Sequence, residues 1–499
     1  MDGSKDKIDT HEVAHEGVPP KRKLGNVATI FAAGSAMFSD GYSNAAMGPT
    51  KSVLARLYPT QYKHGLGGQN ASLIGAMGFA GMVLGQLAFG VLSDKWSRKY
   101  SMFVCTGIIF VFSILCACAA GPGQTLFNCL IAFRFLLGIG IGGEYPSGSV
   151  TAAESTEAAG VKKGQQQRLF IWATNTMLDL AFAIAWFVAL VLYWIFGDAH
   201  LRAVWRGVLL LGAIPPLVLL IARVFMHEPQ SYLRNNMRHT RIPYALILRR
   251  YWARLLAVSV IWFIYDWITY PFGMYSDTIV ARAAPNASFA QTLGWGCLVN
   301  AFYVPGTIAG SFLADWIGPK YCLITGLVLQ AVFGFALSGA YDRFFPTASG
   351  GNVAGFAVMY GFFLAFGEVG PGNNLGLLAS KAIGPTAARG QLYGIAAAIG
   401  KVGAFIGSYT FPQIQADMDA RSAYLGHTGL FYIGAALAGF SAIIALCLPN
   451  IKPDAMADED VLFREYLAAH GFDVSRMGEP GQGEKRGELE GEAEGERAQ

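Results

Sequence analysis

Charged residues are scarce in this chain. Asp, Glu, Lys and Arg make up 14% of its 499 residues, whereas hydrophobic residues make up 53% and the mean hydropathy is +0.39. An average soluble protein carries about 25% charged residues. The shortage of charge argues against a soluble globular protein and predicts a chain that lies largely within a membrane.

Cysteine is also scarce. The seven cysteines fall in or beside apolar runs at no spacing typical of a metal site, so we interpret them as small apolar packing residues. No polar segment is large enough for a soluble enzyme domain, and no nucleophile–base pair is evident. We therefore expect no catalytic residues, no metal, no cofactor and no nucleic-acid partner.

Apolar residues are concentrated in about twelve runs of roughly 20 residues, the length that crosses a bilayer as a helix. A helix satisfies its own backbone hydrogen bonds in lipid, so these runs predict an all-α membrane protein with twelve transmembrane helices. The predicted spans are 26–48, 70–92, 101–121, 125–150, 169–195, 204–226, 254–280, 290–314, 321–340, 353–379, 390–412 and 427–448.

Arginine placement predicts the orientation of these helices. Seven arginines and a single acid, Glu228, lie between Arg223 and Arg254. By the positive-inside rule the central loop, residues 227–253, is cytoplasmic. An even number of helices then places both termini in the cytoplasm.

The two terminal segments are polar. Residues 1–24 begin with charges, so we expect a cytosolic tail there and no cleavable signal peptide. Residues 449–499 become acidic and rich in Gly and Glu, which predicts a disordered cytosolic tail.

Two glycosylation sequons agree with this orientation. Asn70-Ala-Ser and Asn286-Ala-Ser follow the first and seventh predicted helices, where the loops are expected outside the cell. Asn70 and Asn286 are therefore candidate acceptors of a glycan.

The two halves of the chain repeat the same landmarks. Five pairs of polar residues are separated by 221 to 226 positions: Asp40 and Asp266, Asp94 and Asp315, Glu144 and Glu368, Arg168 and Arg389, Asp179 and Lys401. Duplication of a six-helix unit is typical of secondary transporters, in which the substrate binds at the midplane between the halves. We predict two pseudo-symmetric six-helix bundles, residues 25–226 and 254–448.

Two loop segments resemble the signature of the major facilitator superfamily. They are "GVLSDKWSRK", from Gly90 to Lys99, and a weaker copy, "GSFLADWIGPK", from Gly310 to Lys320. Arg134 resembles the arginine that opens the helix 4 motif of this superfamily. The resemblance covers about residues 25–450 and implies the twelve-helix major facilitator fold.

A more specific resemblance is to the fungal phosphate:H⁺ symporter family and its glycerophosphoinositol permease branch. Trp262, Asp266 and Tyr270 share one helical face, similar to the phosphate-binding face of that family. "GGEYP" resembles its Gly-Gly-Asp-Tyr-Pro motif with Glu in place of Asp, and "GPGNN" and "GKVGA" resemble its helix 10 and helix 11 motifs. This resemblance implies a proton-coupled carrier of the fungal plasma membrane.

Seven ionisable groups lie inside predicted membrane helices, where each costs about 2.5–3.5 kcal/mol. The five acids exceed the two bases, so some acids are expected to hold a proton for part of the time. We predict a proton relay of Asp40 and Glu144, with Arg134 as their switching partner. The alternative, internal ion pairs that only fix helix positions, remains open.

Other polar residues are candidates for substrate binding. Tyr145, Trp262, Tyr270 and Asn373 offer neutral donors, and Lys401 offers a positive charge for an anion. Asp266 suits such a site if it is protonated or if a proton of the substrate bridges the two groups. Asp179 and Glu368 are acids where inorganic-phosphate carriers look neutral, and carboxylates accept hydrogen bonds from polyol hydroxyls.

A loop after helix 2 carries the candidate cytosolic gate. Gly90, Asp94, Arg98 and Lys99, with Asp315 in the second half, resemble the gating loop of the superfamily. The alternative is that these charges only set the topology.

Together these features predict a proton-coupled secondary transporter that imports a glycerophosphodiester, such as glycerophosphoinositol or glycerophosphocholine, by alternating access. Its expected partners are this small anionic or polyol-phosphate substrate, protons and the lipid bilayer, and no oligomer is required. An inorganic phosphate:H⁺ symporter, an exporter of an organic acid or secondary metabolite, and a nutrient receptor that does not transport remain as alternatives.

Overall fold

The computed structural model describes residues 26–63, 70–157, 161–226, 230–237, 241–284, 286–345, 351–452, 454–474 and 477. Within these residues the chain is helical and contains no β-strand. The predicted N-terminal tail, 1–24, lies outside the described residues.

Twelve helical segments form the body of the protein. The first, α1, consists of three short helices, Asn26–Gly34, Met37–Ala45 and Met47–Leu57. The other eleven are each long and apolar enough to cross a membrane. They are α2 (Asn70–Lys95), α3 (Arg98–Ala117), α4 (Gln124–Thr156), α5 (Lys163–Phe196), α6 (Asp198–Val224), α7 (Tyr244–Met274), α8 (Phe289–Ile317), α9 (Pro319–Gly339), α10 (Val353–Lys381), α11 (Thr386–Arg421) and α12 (Ala423–Ala445).

These helices confirm the predicted twelve-helix, all-α membrane fold. Across the middle of the molecule α2 packs along α11, and α5 packs along α8. A twofold rotation that exchanges the first six helices with the last six converts one of these pairs into the other. The duplication read from the sequence is therefore also present in the packing.

The glycine-rich run of α4 packs closely against α2. A Cβ atom on Gly138 would lie 2.1 Å from the Gly78 carbonyl oxygen, and one on Gly142 would lie 2.2 Å from that of Met82. Only hydrogen fits at these positions, so the glycines bring the two backbones together, as small residues do in membrane helices.

A π-helical turn interrupts α4 at Tyr145–Ser149, and another interrupts α10 at Glu368–Gly372. Each turn contains a proline, Pro146 or Pro371, which has no N–H to donate to the preceding turn. Such wide turns change the register of a helix and commonly occur at functional sites. Both turns contribute residues to the central cavity.

Two boundaries differ from the sequence prediction. Helix α7 begins at Tyr244, ten residues earlier than predicted, because hydropathy falls at Arg249, Arg250 and Arg254 although the helix continues through them. Residues 455–469 form a helix, Ala455–Ala469, within the segment predicted to be disordered from residue 449. It buries Phe463 and Leu467, one helical turn apart, against the bundle.

Candidate functional site

A central cavity of about 60 Å³ lies between the two six-helix bundles. All eight residues predicted to bind substrate line it: Tyr145, Asp179, Trp262, Asp266, Tyr270, Glu368, Asn373 and Lys401. Its volume suits a few water molecules. A solute of several heavy atoms can enter only if the two bundles move apart.

One end of the cavity holds a lysine among phenols. The Lys401 Nζ donates to Asp266 Oδ2 at 3.0 Å and to the Tyr270 hydroxyl at 2.6 Å. The Tyr270 and Tyr145 hydroxyls are 3.4 Å apart, and Tyr145 comes from the other half of the chain. Lys401 is the one cation among the described residues that line the cavity. An anion that entered the cavity would compete with Asp266 for the Lys401 ammonium.

Hydrogen bonds extend from this lysine into the first bundle. Tyr145 donates to Asp40, and the Asn44 amide donates to the same carboxylate at 2.5 Å. Arg134 donates to Asn44 Oδ1 at 3.1 Å and to the Ser43 hydroxyl at 2.7 Å. Asp40 therefore reaches the cavity through Tyr145 and reaches Arg134 through Asn44.

The other end of the cavity is built from acids and amides. The Asn175 amide donates to Glu368 at 2.9 Å, to Asp179 at 3.2 Å and to the Asn373 oxygen at 3.0 Å. Tyr265 donates to the second oxygen of Glu368. The Asn175 amide thus joins the carboxyl groups of Asp179 and Glu368.

Glu144 does not occupy the place that the sequence analysis gave it. It lies inside the first bundle, where Arg223 contacts its two oxygens at 2.5 and 2.7 Å and Thr106 donates at 2.8 Å. Neither Glu144 nor Arg223 is among the residues that line the cavity. The sequence analysis predicted that Glu144 is a proton-relay residue with Arg134 as its partner. The structure corrects this prediction: the ion-pair partner of Glu144 is Arg223.

The reason for this correction is helix geometry. Arg134 and Glu144 are ten residues apart on α4, which separates them by about 15 Å along the axis. Tyr145, the next residue, faces the cavity, and consecutive helical residues point in directions about 100° apart. Glu144 therefore points away from the cavity, towards α3 and α6.

We expect Glu144→Gln to lower stability without selectively removing proton coupling. One buried guanidinium, that of Arg223, then lacks its counter-charge, and breaking a buried ion pair costs about 3–5 kcal/mol. Thermal unfolding in detergent measures the loss. The double variant Glu144→Gln with Arg223→Met removes both charges and should recover most of the stability. Normal stability of Glu144→Gln with loss of gradient-driven uptake would restore Glu144 to the relay.

The predicted gate residues lie together at the face of the molecule that carries the central loop. Asp94 accepts hydrogen bonds from the backbone N–H groups of Gly390 and Gln391 at 3.0 and 2.8 Å. These groups are at the N-terminus of α11, whose dipole favours a carboxylate. Arg98 contacts Asp94 at 3.2 Å, and Gly90 lets α2 approach the Gly390 carbonyl. Asp94 thus joins the two halves.

The second half carries the matching contact. Asp315 of α8 accepts from the backbone N–H of Arg168, near the start of α5, at 3.2 Å. Lys99 lies at the rim of this face and donates to the Val224 carbonyl at 3.0 Å. The Asp94 and Asp315 contacts occupy equivalent places in the two repeats.

Three further charges complete this face, and the sequence analysis did not assign them to the site. Glu154 accepts from Arg98 at 2.8 Å and from Arg389 at 3.2 Å, and all three side chains are fully buried. Asp460 of the C-terminal helix accepts from the Thr386 N–H at 2.7 Å. We call Asp94, Arg98, Glu154, Arg389 and Asp460 the loop-side latch. Of the three further charges, only Arg389 had a signal in the sequence, namely its match to Arg168 in the other repeat.

Other residues of the site were also missed. Arg223 was counted as a loop charge, although its position inside a predicted helix indicated burial. Tyr265 lies one residue from Asp266 and was not considered. The sequence left open whether Asn175 or Asp179 faces the cavity, and both line it.

The two sequons differ. The Asn70 side chain is buried, and its amide donates to the Gln61 carbonyl and to Gln124, each at 2.8 Å. A glycan would have to replace these contacts, so the structure argues against Asn70 as an acceptor. Asn286 is exposed in a turn.

Comparison with known proteins agrees with the fold. The proton:xylose symporter XylE superposes with a TM-score of 0.72 at 17% identity, over 88% of this chain and 98% of that one. The family model "Sugar (and other) transporter" matches residues 27–247 and 245–453. The fold and its central cavity define a secondary transporter of the major facilitator superfamily.

Curated relatives cover nearly the whole chain. A glycerophosphocholine permease of Candida albicans is 42% identical over 472 residues, which are 93% of this chain and 86% of that protein. A major glycerophosphoinositol permease of the same species is 40% identical over 92% of this chain and 85% of that protein. A glycerophosphoinositol transporter of Saccharomyces cerevisiae is 32% identical over 92% and 85%. The chain belongs to the sugar (and other) transporter family.

Proposed function

We propose that this protein imports glycerophosphodiesters together with protons across the fungal plasma membrane, with both termini in the cytoplasm. The observation that carries the proposal is the chemical difference between the two ends of the cavity. One end offers a lysine and two phenols, and the other offers two carboxyl groups and amides. The relatives named for glycerophosphocholine and glycerophosphoinositol support this choice of substrate.

The lysine end suits the phosphodiester group. Lys401 supplies the positive charge, and the hydroxyls of Tyr145 and Tyr270 supply donors around the same point. Charge-assisted hydrogen bonds to phosphate oxygens are about twice as strong as neutral ones. When the substrate binds, its anion replaces Asp266 as the partner of Lys401, and Asp266 becomes free to take up a proton.

The carboxyl end suits the hydroxyls of glycerol and of a polyol head group. Asp179 and Glu368 present acceptor oxygens, and Asn175 and Asn373 present both donors and acceptors. Inorganic phosphate has a further ionised oxygen in place of an ester group, and the carboxyl groups at this end would repel that charge. This asymmetry favours a diester over inorganic phosphate.

The proton route runs through Asp40. Its contacts to Tyr145 and, through Asn44, to Arg134 connect the cavity with a buried cation. Opening of the bundles changes the distance from Tyr145 to Tyr270 and hence the environment of Asp40. Proton uptake is thereby linked to the conformational change.

The test is uptake by proteoliposomes of radiolabelled glycerophosphoinositol and glycerophosphocholine, with and without an inward proton gradient. We expect uptake that follows the gradient and that excess unlabelled phosphate competes with only weakly. Uptake of phosphate alone would replace the proposal with an inorganic phosphate symporter. Release from loaded vesicles without gradient-driven uptake would favour an exporter, and binding without movement would favour a receptor.

We expect Asp179→Asn to raise the KM for glycerophosphoinositol about 10-fold or more. A hydrogen bond to a charged group contributes about 1.5–3 kcal/mol, and 1.4 kcal/mol corresponds to tenfold. Asp198→Asn is the matched control, because that carboxylate is 69% exposed and lies on the surface, 3.6 Å from Arg56. Unchanged KM for the diester together with improved phosphate uptake by Asp179→Asn would contradict the assignment of this end.

A further inference from the structure

Lys51 lies at the face of the molecule opposite the central loop. It is on the last piece of α1, about three helical turns beyond Asp40. Lys51 is only 3% exposed. Its Nζ lies 3.6 Å from the centroid of the Tyr275 ring and 3.8 Å from Met274 Sδ. Both contacts come from the second half of the chain.

The ammonium of Lys51 forms no direct ion pair with any residue that the structure describes. Among the described residues no carboxylate oxygen lies within 4.0 Å of its Nζ. Asp277, nearby, accepts instead from the Ser52 hydroxyl and from the Thr278 N–H. An aromatic face stabilises a cation less than a carboxylate or phosphate does at low dielectric. An anion that reached Lys51 would therefore stabilise its charged form.

This part of the molecule is a contact between the two halves. Ser52 and Asp277 hydrogen-bond across it, and a Cβ atom on Gly48 would lie 2.9 Å from the Met274 carbonyl oxygen. If the bundles separate at this face, Tyr275 and Met274 move away from Lys51. The ammonium is then exposed at the mouth of the path that leads to Lys401.

We propose that Lys51 is a recruitment site for the anionic phosphodiester, which it binds when this face opens and before the substrate reaches Lys401. The inference rests on the proposed function and adds a second, outer position to it. The ligand is a phosphodiester with net negative charge. A zwitterionic diester, whose quaternary ammonium lies close to its phosphate, gains less from a lysine.

The experiment compares two substrates in one variant. For Lys51→Gln we expect the KM for glycerophosphoinositol, a net anion, to rise about tenfold. The KM for zwitterionic glycerophosphocholine should change less than threefold, and kcat should remain within twofold for both. Lys51→Arg, which keeps the charge, should resemble the wild type. Raising ionic strength should increase the wild-type KM for glycerophosphoinositol and have less effect on Lys51→Gln.

Two controls separate recruitment from packing. Ser52→Ala removes the hydrogen bond between the halves without changing any charge near Lys51, so it should affect both substrates equally. Arg56→Gln removes an exposed cation of the same helix, 3.6 Å from Asp198, and should change neither KM. Equal changes in both KM values for Lys51→Gln, or a change in kcat alone, would overturn the recruitment site. If the wild-type protein transports neither diester, the proposed function fails, and the inference fails with it.

Discussion

Replacing Lys401 by glutamine is expected to abolish uptake of glycerophosphodiesters, with a loss of at least 100-fold. Lys401 bonds to Asp266 and Tyr270 and is the one cation among the described residues that line the cavity. Removing it deprives the phosphodiester of a charge-assisted contact and leaves the Asp266 carboxylate buried without a counter-charge. Each of these effects alone costs about 1.5–5 kcal/mol of free energy, and about 2.8 kcal/mol corresponds to a 100-fold loss of uptake. Initial uptake rates in proteoliposomes measure the loss.

A double variant separates the lost binding contact from lost folding. Lys401→Gln with Asp266→Asn removes both charges, so its thermal unfolding temperature in detergent should approach that of the wild type. Its uptake should remain absent, because the phosphodiester still lacks a cation. Lys401→Arg keeps the charge and should retain partial uptake. Recovery of uptake in the double variant would show that Lys401 only neutralises Asp266.

Replacing Glu154 by glutamine is expected to open the loop-side latch. The carboxylate lies between Arg98 and Arg389, at 2.8 and 3.2 Å, and these arginines belong to different halves. Without it the two guanidinium groups lie buried near each other with less compensation, at a cost of about 3–5 kcal/mol to the closed conformation. The equilibrium should shift towards a conformation open at this face, and uptake should fall more than tenfold.

Alkylation of an introduced cysteine measures this shift. Ala387 lies in the first turn of α11 and is 3% exposed when the latch is closed. In a protein with Ala387→Cys and with exposed Cys118 and Cys447 replaced by serine, Glu154→Gln should increase the alkylation rate at least tenfold. Asp419→Asn is the control, because Asp419 pairs with Arg282 within the second half, at the other end of α11 from the latch. An unchanged alkylation rate in Glu154→Gln would mean that the latch is held by other contacts.

The C-terminal helix, Ala455–Ala469, adds further contacts across the loop-side latch. It contacts the second half through Asp460 and Thr386, and the central loop through Asp460 and Asn235, the latter at 3.0 Å. Glu157 of the first half accepts from the N–H groups at its start. One short helix thus links both bundles and the loop between them on the closed face.

Several features of the candidate site were predictable because they are local in the chain. The spacing of Trp262, Asp266 and Tyr270 places them on one side of a single helix, and all three line the cavity. The offset between Asp94 and Asp315 identified equivalent positions in two repeats, and both cap the start of a helix in the other half. Periodicity and duplication need no knowledge of which helices are neighbours.

Partner choice was not predictable in the same way. Arg134 and Glu144 share a helix and a motif, yet Arg134 contacts Ser43 and Asn44 of α1 and Glu144 contacts Arg223 of α6. Counting five buried acids against two bases was also incomplete, because it omitted Arg223 and Lys51. Their positions near helix ends made them resemble loop charges.

The number of membrane helices, the duplication of a six-helix unit and many of the side chains that line the cavity are predictable from the sequence alone. These follow from hydropathy, from helical periodicity and from repeated spacing, which act within one segment. Which charges pair, which of them face the cavity and the packing of residues 455–469 onto the latch depend on how the helices assemble in three dimensions. A buried charge is stabilised by whichever opposite charge the packing places within about 3 Å, and that neighbour comes from a helix distant in the chain.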